Sequence, residues 1–174
     1  LAKQVLLNNF MSDIPAIAIA GDNVDPEWVR RPRRWDIRFI RRFMVVFGLT
    51  STAFDALTFG ALLFLFRFAP DAFRTGWFVE SVLTELLVAL VVRTRRPFYK
   101  SRPGRWLLVS TGLVAAVTFA LPYLPVNAWL GFVPLPAPAM AGLAGITALY
   151  ILTAEAVKRA FYARGTAGGQ ERIS

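Results

Sequence analysis

The sequence contains no cysteine and no histidine among its 174 residues, and only 18% of its residues are charged. Without cysteine there can be no disulfide and no thiolate metal site. Without histidine there can be no imidazole ligand and no histidine-based catalytic triad. Any metal ion bound by this chain must therefore be held by oxygen atoms.

Apolar residues are abundant instead. Hydrophobic residues make up 56% of the chain and the mean hydropathy is +0.49, whereas soluble domains have roughly 45–50% apolar residues. Five stretches approach the ~20 residues that cross a bilayer as a helix. The sequence therefore predicts an all-α membrane protein, embedded in a lipid bilayer, with five transmembrane helices over residues 5–20, 43–66, 76–92, 106–121 and 139–157.

Basic residues give the chain a net charge of +9, but they are clustered. Seven lie between Arg30 and Arg42, and six lie between Arg93 and Arg105. Because both clusters separate apolar stretches rather than forming one face of a folded domain, we interpret them as membrane loops and not as a nucleic-acid surface. Contact with anionic lipid headgroups and contact with a cytoplasmic domain both remain open for these loops.

The loop charges also predict an orientation. Lys and Arg number seven in loop 21–42, two in loop 67–75, six in loop 93–105, none in loop 122–138 and four after residue 157. Since cytoplasmic loops are enriched in Lys and Arg, this alternation places the C-terminus in the cytoplasm. We predict a multi-pass protein of the cell (inner) membrane whose first span starts on the outside.

The two ends of the chain differ in character. Residues 1–10 include no initiator Met and no basic region ahead of an apolar core, so we do not expect them to form a signal peptide. The first span is also the most polar of the five, which would make it difficult to insert alone, and we therefore expect an upstream region. Residues 165–174 are rich in glycine and polar residues and are predicted to be a disordered cytoplasmic tail.

The first span carries the strongest candidate site. Asn9, Ser12 and Asp13 fall at i, i+3 and i+4, so they share one helical face. Pro15 has no backbone N–H, which leaves the carbonyl of Met11 without its usual partner. Carboxylate, amide, hydroxyl and carbonyl oxygens are the ligands that Mg²⁺ and Ca²⁺ prefer, so the pattern predicts a cation site at membrane depth. In the alternative, Asp13 bonds to a neighbouring helix and Pro15 is a tolerated kink.

The third span adds one more candidate ligand. Glu85 shares a helical face with Ser81, four residues before it, and is predicted to join the cation site. Glu80 lies nearer the outer boundary of that span and is expected to be solvated.

Two further carboxylates are expected to have structural roles. Asp55, in the second span, is interpreted as a polar contact between helices more than as a ligand. Glu155, near the end of the fifth span, is followed by Lys158 and Arg159 and is predicted to form an interfacial ion pair.

Several motifs resemble one family of ion pumps. The run Asn-Phe-Met-Ser-Asp-Ile-Pro at 9–15, with Asp25-Pro26 and Arg-Pro-Arg-Arg-Trp-Asp at 31–36, resembles the sixth transmembrane helix of type II and III P-type ATPases and the loop after it. The match is closest to the magnesium-transporting P-type ATPases. Residues 54–59 and 76–96 resemble the seventh and eighth helices of that family, and the resemblance covers residues 1–164.

This resemblance implies helices six to ten of a ten-helix membrane domain, with Mg²⁺ as the transported ion. It implies that Asn9 and Asp13 are cation ligands and that Ser12 stands where calcium pumps have Thr. Glu85 corresponds more loosely to a ligand of the eighth helix. ATP would be used only by cytoplasmic domains that, like helices one to five, are absent here. Without their DKTGT motif, this chain is not expected to hydrolyse ATP alone.

Two alternatives remain open at the level of the sequence. The chain could be a stand-alone membrane scaffold or binding module, in which the buried polar residues only hold helices together. It could also belong to a P-type pump for Ca²⁺ or another cation, since one helix does not define a coordination number.

Overall fold

The computed structural model describes residues 2–23 and 37–167, with side chains up to residue 163. All regular structure in these ranges is helical, so the predicted all-α class is confirmed for the part of the chain described. The helices are α1 (Ala2–Ile19), α2 (Ile37–Gly60), α3 (Pro70–Val92), α4 (Arg105–Ala120), the short α5 (Asn127–Leu130) and α6 (Ala137–Ala167).

Four helical segments of the described ranges are long and apolar enough to cross a membrane. They are Ile37–Leu65, Pro70–Val92, Arg105–Tyr123 and Ala137–Ala163. The 18-residue helix α1 is not among them, because polar residues such as Asn8, Asn9 and Asp13 interrupt its apolar sequence. A helix thus occupies each of the five predicted spans, while the crossing of the membrane by α1 stays a prediction.

Helix α3 begins earlier than the sequence pattern predicted. It starts at Pro70 rather than at residue 76, with a proline in its first turn and Asp71 near its N-terminus. Proline suits this position because its N–H is not needed there, and a carboxylate interacts favourably with the helix dipole. Glu80 therefore lies ten residues into the helix, about 15 Å along its axis.

Helix α3 is also the centre of the bundle. It packs against α6, α1, α4 and α2. Its apolar side chains fill the main core together with Leu62 and Phe132, and Gly76 allows close approach, since a Cβ atom there would lie 2.7 Å from a methyl carbon of Leu62. The most buried of the α3 core side chains are Phe78, Val79, Val82, Leu83 and Leu86.

The last helix is longer than predicted. It continues to Ala167, so residues 165–167 of the expected disordered tail are helical. Packing explains the extension in part, because the ring of Phe161 lies 5.1 Å from Phe39 and 5.5 Å from Phe43 of α2. Residues 168–174 of that tail lie outside the described residues, as does 24–36, which contains most of the first basic cluster and the Asp25-Pro26 and 31–36 motifs.

Candidate cation site on helix α1

One face of α1 is buried against α3 and α4. Its buried residues are Gln4, Asn8, Met11 and Pro15, which recur every three or four positions as expected for one side of a helix. The helix continues through Pro15 to Ile19, so the proline does not end it. The covered face of α1 therefore carries two amide side chains inside the bundle.

The first turn of α1 is bound to the segment around α5. The Gln4 side-chain nitrogen donates to the carbonyl oxygens of Gly131, at 2.8 Å, and Leu130, at 3.3 Å. The Lys3 ammonium donates to the carbonyl of Trp129 at 3.3 Å and lies 4.6 Å from the centre of its ring. These bonds fix the position of the N-terminal end of α1.

The other end of α1 is held by a buried ion pair. Asp22, just after the helix, accepts hydrogen bonds from the guanidinium of Arg93 and from the backbone N–H of Gly104. Arg93 also donates to the side-chain and backbone oxygens of Ser101, at 3.1 and 3.3 Å. The side chains of Arg93 and Asp22 are only 4% and 10% exposed. Helix α1 is therefore tied to the C-terminal end of α3.

The three ligands predicted on α1 lie away from the buried face. Asn9 and Asp13 are exposed, and their side chains pair with no residue in the described ranges. Ser12 is half-buried, and its hydroxyl donates to the carbonyls of Asn8 and Asn9 at 3.1 Å each. Because that hydroxyl uses its hydrogen within the helix, its oxygen lone pairs remain available to a cation. The structure thus leaves the predicted ligand face of α1 uncovered.

Glu85 contacts α1 through Asn8, which was not among the site residues predicted from the sequence. Its Oε1 accepts a hydrogen bond from the Asn8 side chain at 3.3 Å, while the rest of the Glu85 side chain stays exposed. Asn8 is 5% exposed, and its own Oδ1 finds no partner among the residues described. The spacing of Gln4 and Asn8 at i and i+4 in an apolar span could have indicated a second polar face.

These residues do not form a complete coordination shell. No group of three or more Asp, Glu, His or Cys side chains within residues 2–23 and 37–163 is placed to hold a metal ion. Mg²⁺ requires near-octahedral oxygen coordination and usually keeps several waters. Asn9, Ser12, Asp13 and Glu85 could supply only part of such a shell.

The prediction for Glu155 is confirmed. Its carboxylate pairs with Lys158 at 2.8 Å and with Arg159 at 3.0 Å. Lys158 is fully buried and also donates to the carbonyls of Val91, at 2.8 Å, and Arg96, at 2.9 Å. The ammonium therefore bonds to a carbonyl in the last turn of α3, where a helix leaves such groups unpaired, and to one in the segment that follows.

Two other expectations differ from the structure. Asp55 was expected to make a polar contact between helices, but it is exposed and pairs with none of the described residues. One turn earlier in α2, Ser51 hydrogen-bonds to the Tyr150 hydroxyl of α6 at 2.8 Å. Glu80 was expected to be solvated, but only 1% of it is exposed. The reason is the early start of α3, which moves Glu80 from the helix end into the bundle.

Comparison with known proteins supplies a family context. Residues 1–160 match the family model described as cation transporting ATPase, C-terminus. Over 169 residues the chain is 36% identical to the magnesium-transporting ATPase, P-type 1, of Salmonella typhimurium strain LT2 and 36% identical to that of Escherichia coli K12. Each alignment covers 94% of this chain but only 19% of the relative.

Proposed function

The chain belongs to the family of cation-transporting ATPase C-terminal regions, and we propose that it forms half of the membrane domain of an ATP-driven pump that transports Mg²⁺. In this proposal the five long helices, α1, α2, α3, α4 and α6, are the sixth to tenth membrane helices of the pump. The partner is an N-terminal part with helices one to five and the cytoplasmic domains that use ATP. The pump lies in the inner membrane with its C-terminus in the cytoplasm.

One observation carries this proposal. The polar residues Asn9, Ser12 and Asp13 lie on the side of α1 that the bundle leaves uncovered, although α1 is bound at both ends. An ionised Asp at the centre of a bilayer costs about 2.5–3.5 kcal/mol on insertion scales, so such a residue seldom faces lipid without a partner. This arrangement supports a role for the uncovered face in lining an ion pathway against helices of the N-terminal part.

The chemistry of the face suits a divalent cation. Asp13 supplies negative charge, whereas Asn9 and Ser12 supply neutral oxygens that replace water of hydration. Glu85 adds a second carboxylate from α3, and its position is set by the hydrogen bond from Asn8. Waters and oxygens of the N-terminal part would complete the shell.

The bonds at the two ends of α1 suggest how transport would use this face. Asp22 joins α1 to Arg93 of α3, and Gln4 joins it to the α5 segment, so α1 belongs to the same packed unit as α3 and α4. Rearrangement driven by phosphorylation would then take place between this unit and helices one to five. The ligands of α1 would be exposed alternately to the two sides of the membrane.

The substitution Asp13→Asn in the full-length pump tests the proposal. Loss of this charge should lower Mg²⁺-stimulated ATPase activity by at least about 10-fold, because even outer-shell changes cost that much at metal sites. Asp71→Asn is the matched control, since Asp71 lies in the first turn of α3 and its carboxylate pairs with the exposed Arg74, at 3.3 Å, and with no other residue of the described ranges. Activity of Asp13→Asn at the wild-type level would exclude the proposed role and favour a purely structural membrane module.

The identity of the ion requires a separate measurement. ATPase activity of the purified pump should be stimulated by Mg²⁺ under conditions in which Mg²⁺ is varied independently of the nucleotide. Uptake measurements with Mg²⁺ and Ca²⁺ in the same vesicles give the comparison. If the vesicles took up Ca²⁺ and no Mg²⁺, the chain would still be part of an ATP-driven pump, but Mg²⁺ would be excluded as the transported ion.

A further inference from the structure

A carboxyl group lies inside the bundle without a partner. Glu80 is 1% exposed, and it sits in α3 next to the core side chain of Val79. Neither of its carboxyl oxygens has a hydrogen-bond partner in the described part of the chain. The group belongs neither to the ligand face of α1 nor to the ion pairs at the end of α3.

The charged groups that act on Glu80 are both acidic. They are Asp55 of α2 and Glu85 of α3, and the hydroxyl of Thr58 lies beside the Glu80 carboxyl group. Thr58 is itself completely buried, and its hydroxyl is unpaired among the described residues. From α6, the hydroxyl of Tyr150 faces the same region and is bonded to Ser51.

The remaining helices around α3 bring no positive charge to this position. Helix α4 has no titratable residue after Arg105, and the carboxylate of α1, Asp13, is on the uncovered face of that helix. Arg74, in the first turns of α3, is paired with Asp71, and Arg93, just after the helix, is paired with Asp22. No described residue therefore neutralises a charge on Glu80.

An ionised carboxylate buried in this way is much more costly than a neutral carboxylic acid, and such groups take up a proton instead of keeping the charge. A neutral acid can also donate its hydrogen to a neighbouring hydroxyl oxygen, and the Thr58 hydroxyl can accept it. We propose that Glu80 is a proton-binding site inside the membrane and that its carboxyl group is neutral in this conformation.

The ligand at this position is a proton rather than a metal ion. A hard metal cation requires several oxygen ligands, whereas the bundle encloses the Glu80 side chain and neither of its carboxyl oxygens has a hydrogen-bond partner among the described residues. A proton requires only one carboxyl oxygen. The inference goes beyond the proposed transport site and does not depend on Asn9, Ser12 or Asp13.

Infrared difference spectroscopy tests whether the Glu80 carboxyl group is protonated in the full-length pump, reconstituted in lipid nanodiscs at neutral pH. The spectrum of wild type minus Glu80→Gln should contain the carbonyl stretch of one carboxylic acid and no carboxylate bands. Glutamine has the size of the neutral acid, so Glu80→Gln should fold and melt as the wild type does. The matched control is Glu155→Gln, which should remove carboxylate bands, because the Glu155 carboxylate is paired with Lys158 and Arg159.

The outcomes separate clearly. Loss of carboxylate bands in Glu80→Gln would show that Glu80 is ionised and would overturn the inference, as would an unchanged acid region. If Glu80→Gln fails to fold, Glu80→Asp keeps a carboxyl group, and its acid band should be shifted rather than lost; an unshifted acid region would again overturn the inference. Neither result bears on Asp13→Asn, so the transport proposal stands or fails separately.

Discussion

Charged side chains are paired at one end of the bundle, whereas two of those in its middle have no partner among the described residues. Near the C-terminal end of α3, Asp22 is paired with Arg93, and Glu155 is paired with Lys158. In the middle, Asp13 and Glu80 pair with no described residue. The paired charges hold this part of the chain together, whereas the unpaired ones are available to ions, protons or other helices.

The largest effect on stability is expected from Lys158→Ala. This change removes the ammonium that donates to the carbonyls of Val91 and Arg96, and it deprives Glu155 of one of its cationic partners. We expect the free energy of unfolding of the full-length pump, from denaturation with SDS, to fall by about 3–5 kcal/mol. The control Lys3→Ala removes an exposed ammonium and should cost less than about 1 kcal/mol. Equal effects of the two changes would show that the buried Lys158 contributes no more to stability than an exposed ammonium.

A somewhat smaller loss is expected from Arg93→Ala. The substitution leaves the Asp22 carboxylate partly buried, with the Gly104 N–H as its one remaining donor among the described residues. We expect a loss of about 3 kcal/mol in the same unfolding measurement. Arg74→Ala serves as control, because the Arg74–Asp71 pair is exposed and should contribute at most about 1 kcal/mol. If Arg93→Ala were no more harmful than its control, α1 would not depend on this pair for its position.

The smallest effect is expected for a neutral hydrogen bond between two helices. Ser51 of α2 bonds to the Tyr150 hydroxyl of α6 at 2.8 Å. A double-mutant cycle with Ser51→Ala and Tyr150→Phe should give a coupling free energy of about 0.6 kcal/mol, the average for such bonds in membrane proteins. A coupling as large as that of the charged pairs would show that the middle of the bundle is held together as firmly as its end.

Local patterns predicted much of this molecule. Helices occupy the five predicted spans, and the Glu155 ion pair could be foreseen because its partners are three and four residues away in the same helix. The Asn8–Glu85 bond joins residues 77 positions apart, and no local pattern specifies which helices become neighbours. The prediction that Glu80 is solvated was wrong for a different reason. Pro70 and Asp71 mark a helix start six residues before the predicted one, at residue 76.

The central claim is that the uncovered face of α1 binds the transported cation. Anomalous diffraction from crystals of the full-length pump with Mn²⁺ in place of Mg²⁺ tests it most directly, since carboxylate and carbonyl oxygens suit both ions. The account predicts an anomalous peak at coordination distance, about 2.1 Å, from a carboxylate oxygen of Asp13, with Asn9 or Ser12 in the same shell. A structure in which Asp13 points into lipid, or is paired with an arginine with no ion beside it, would contradict the account.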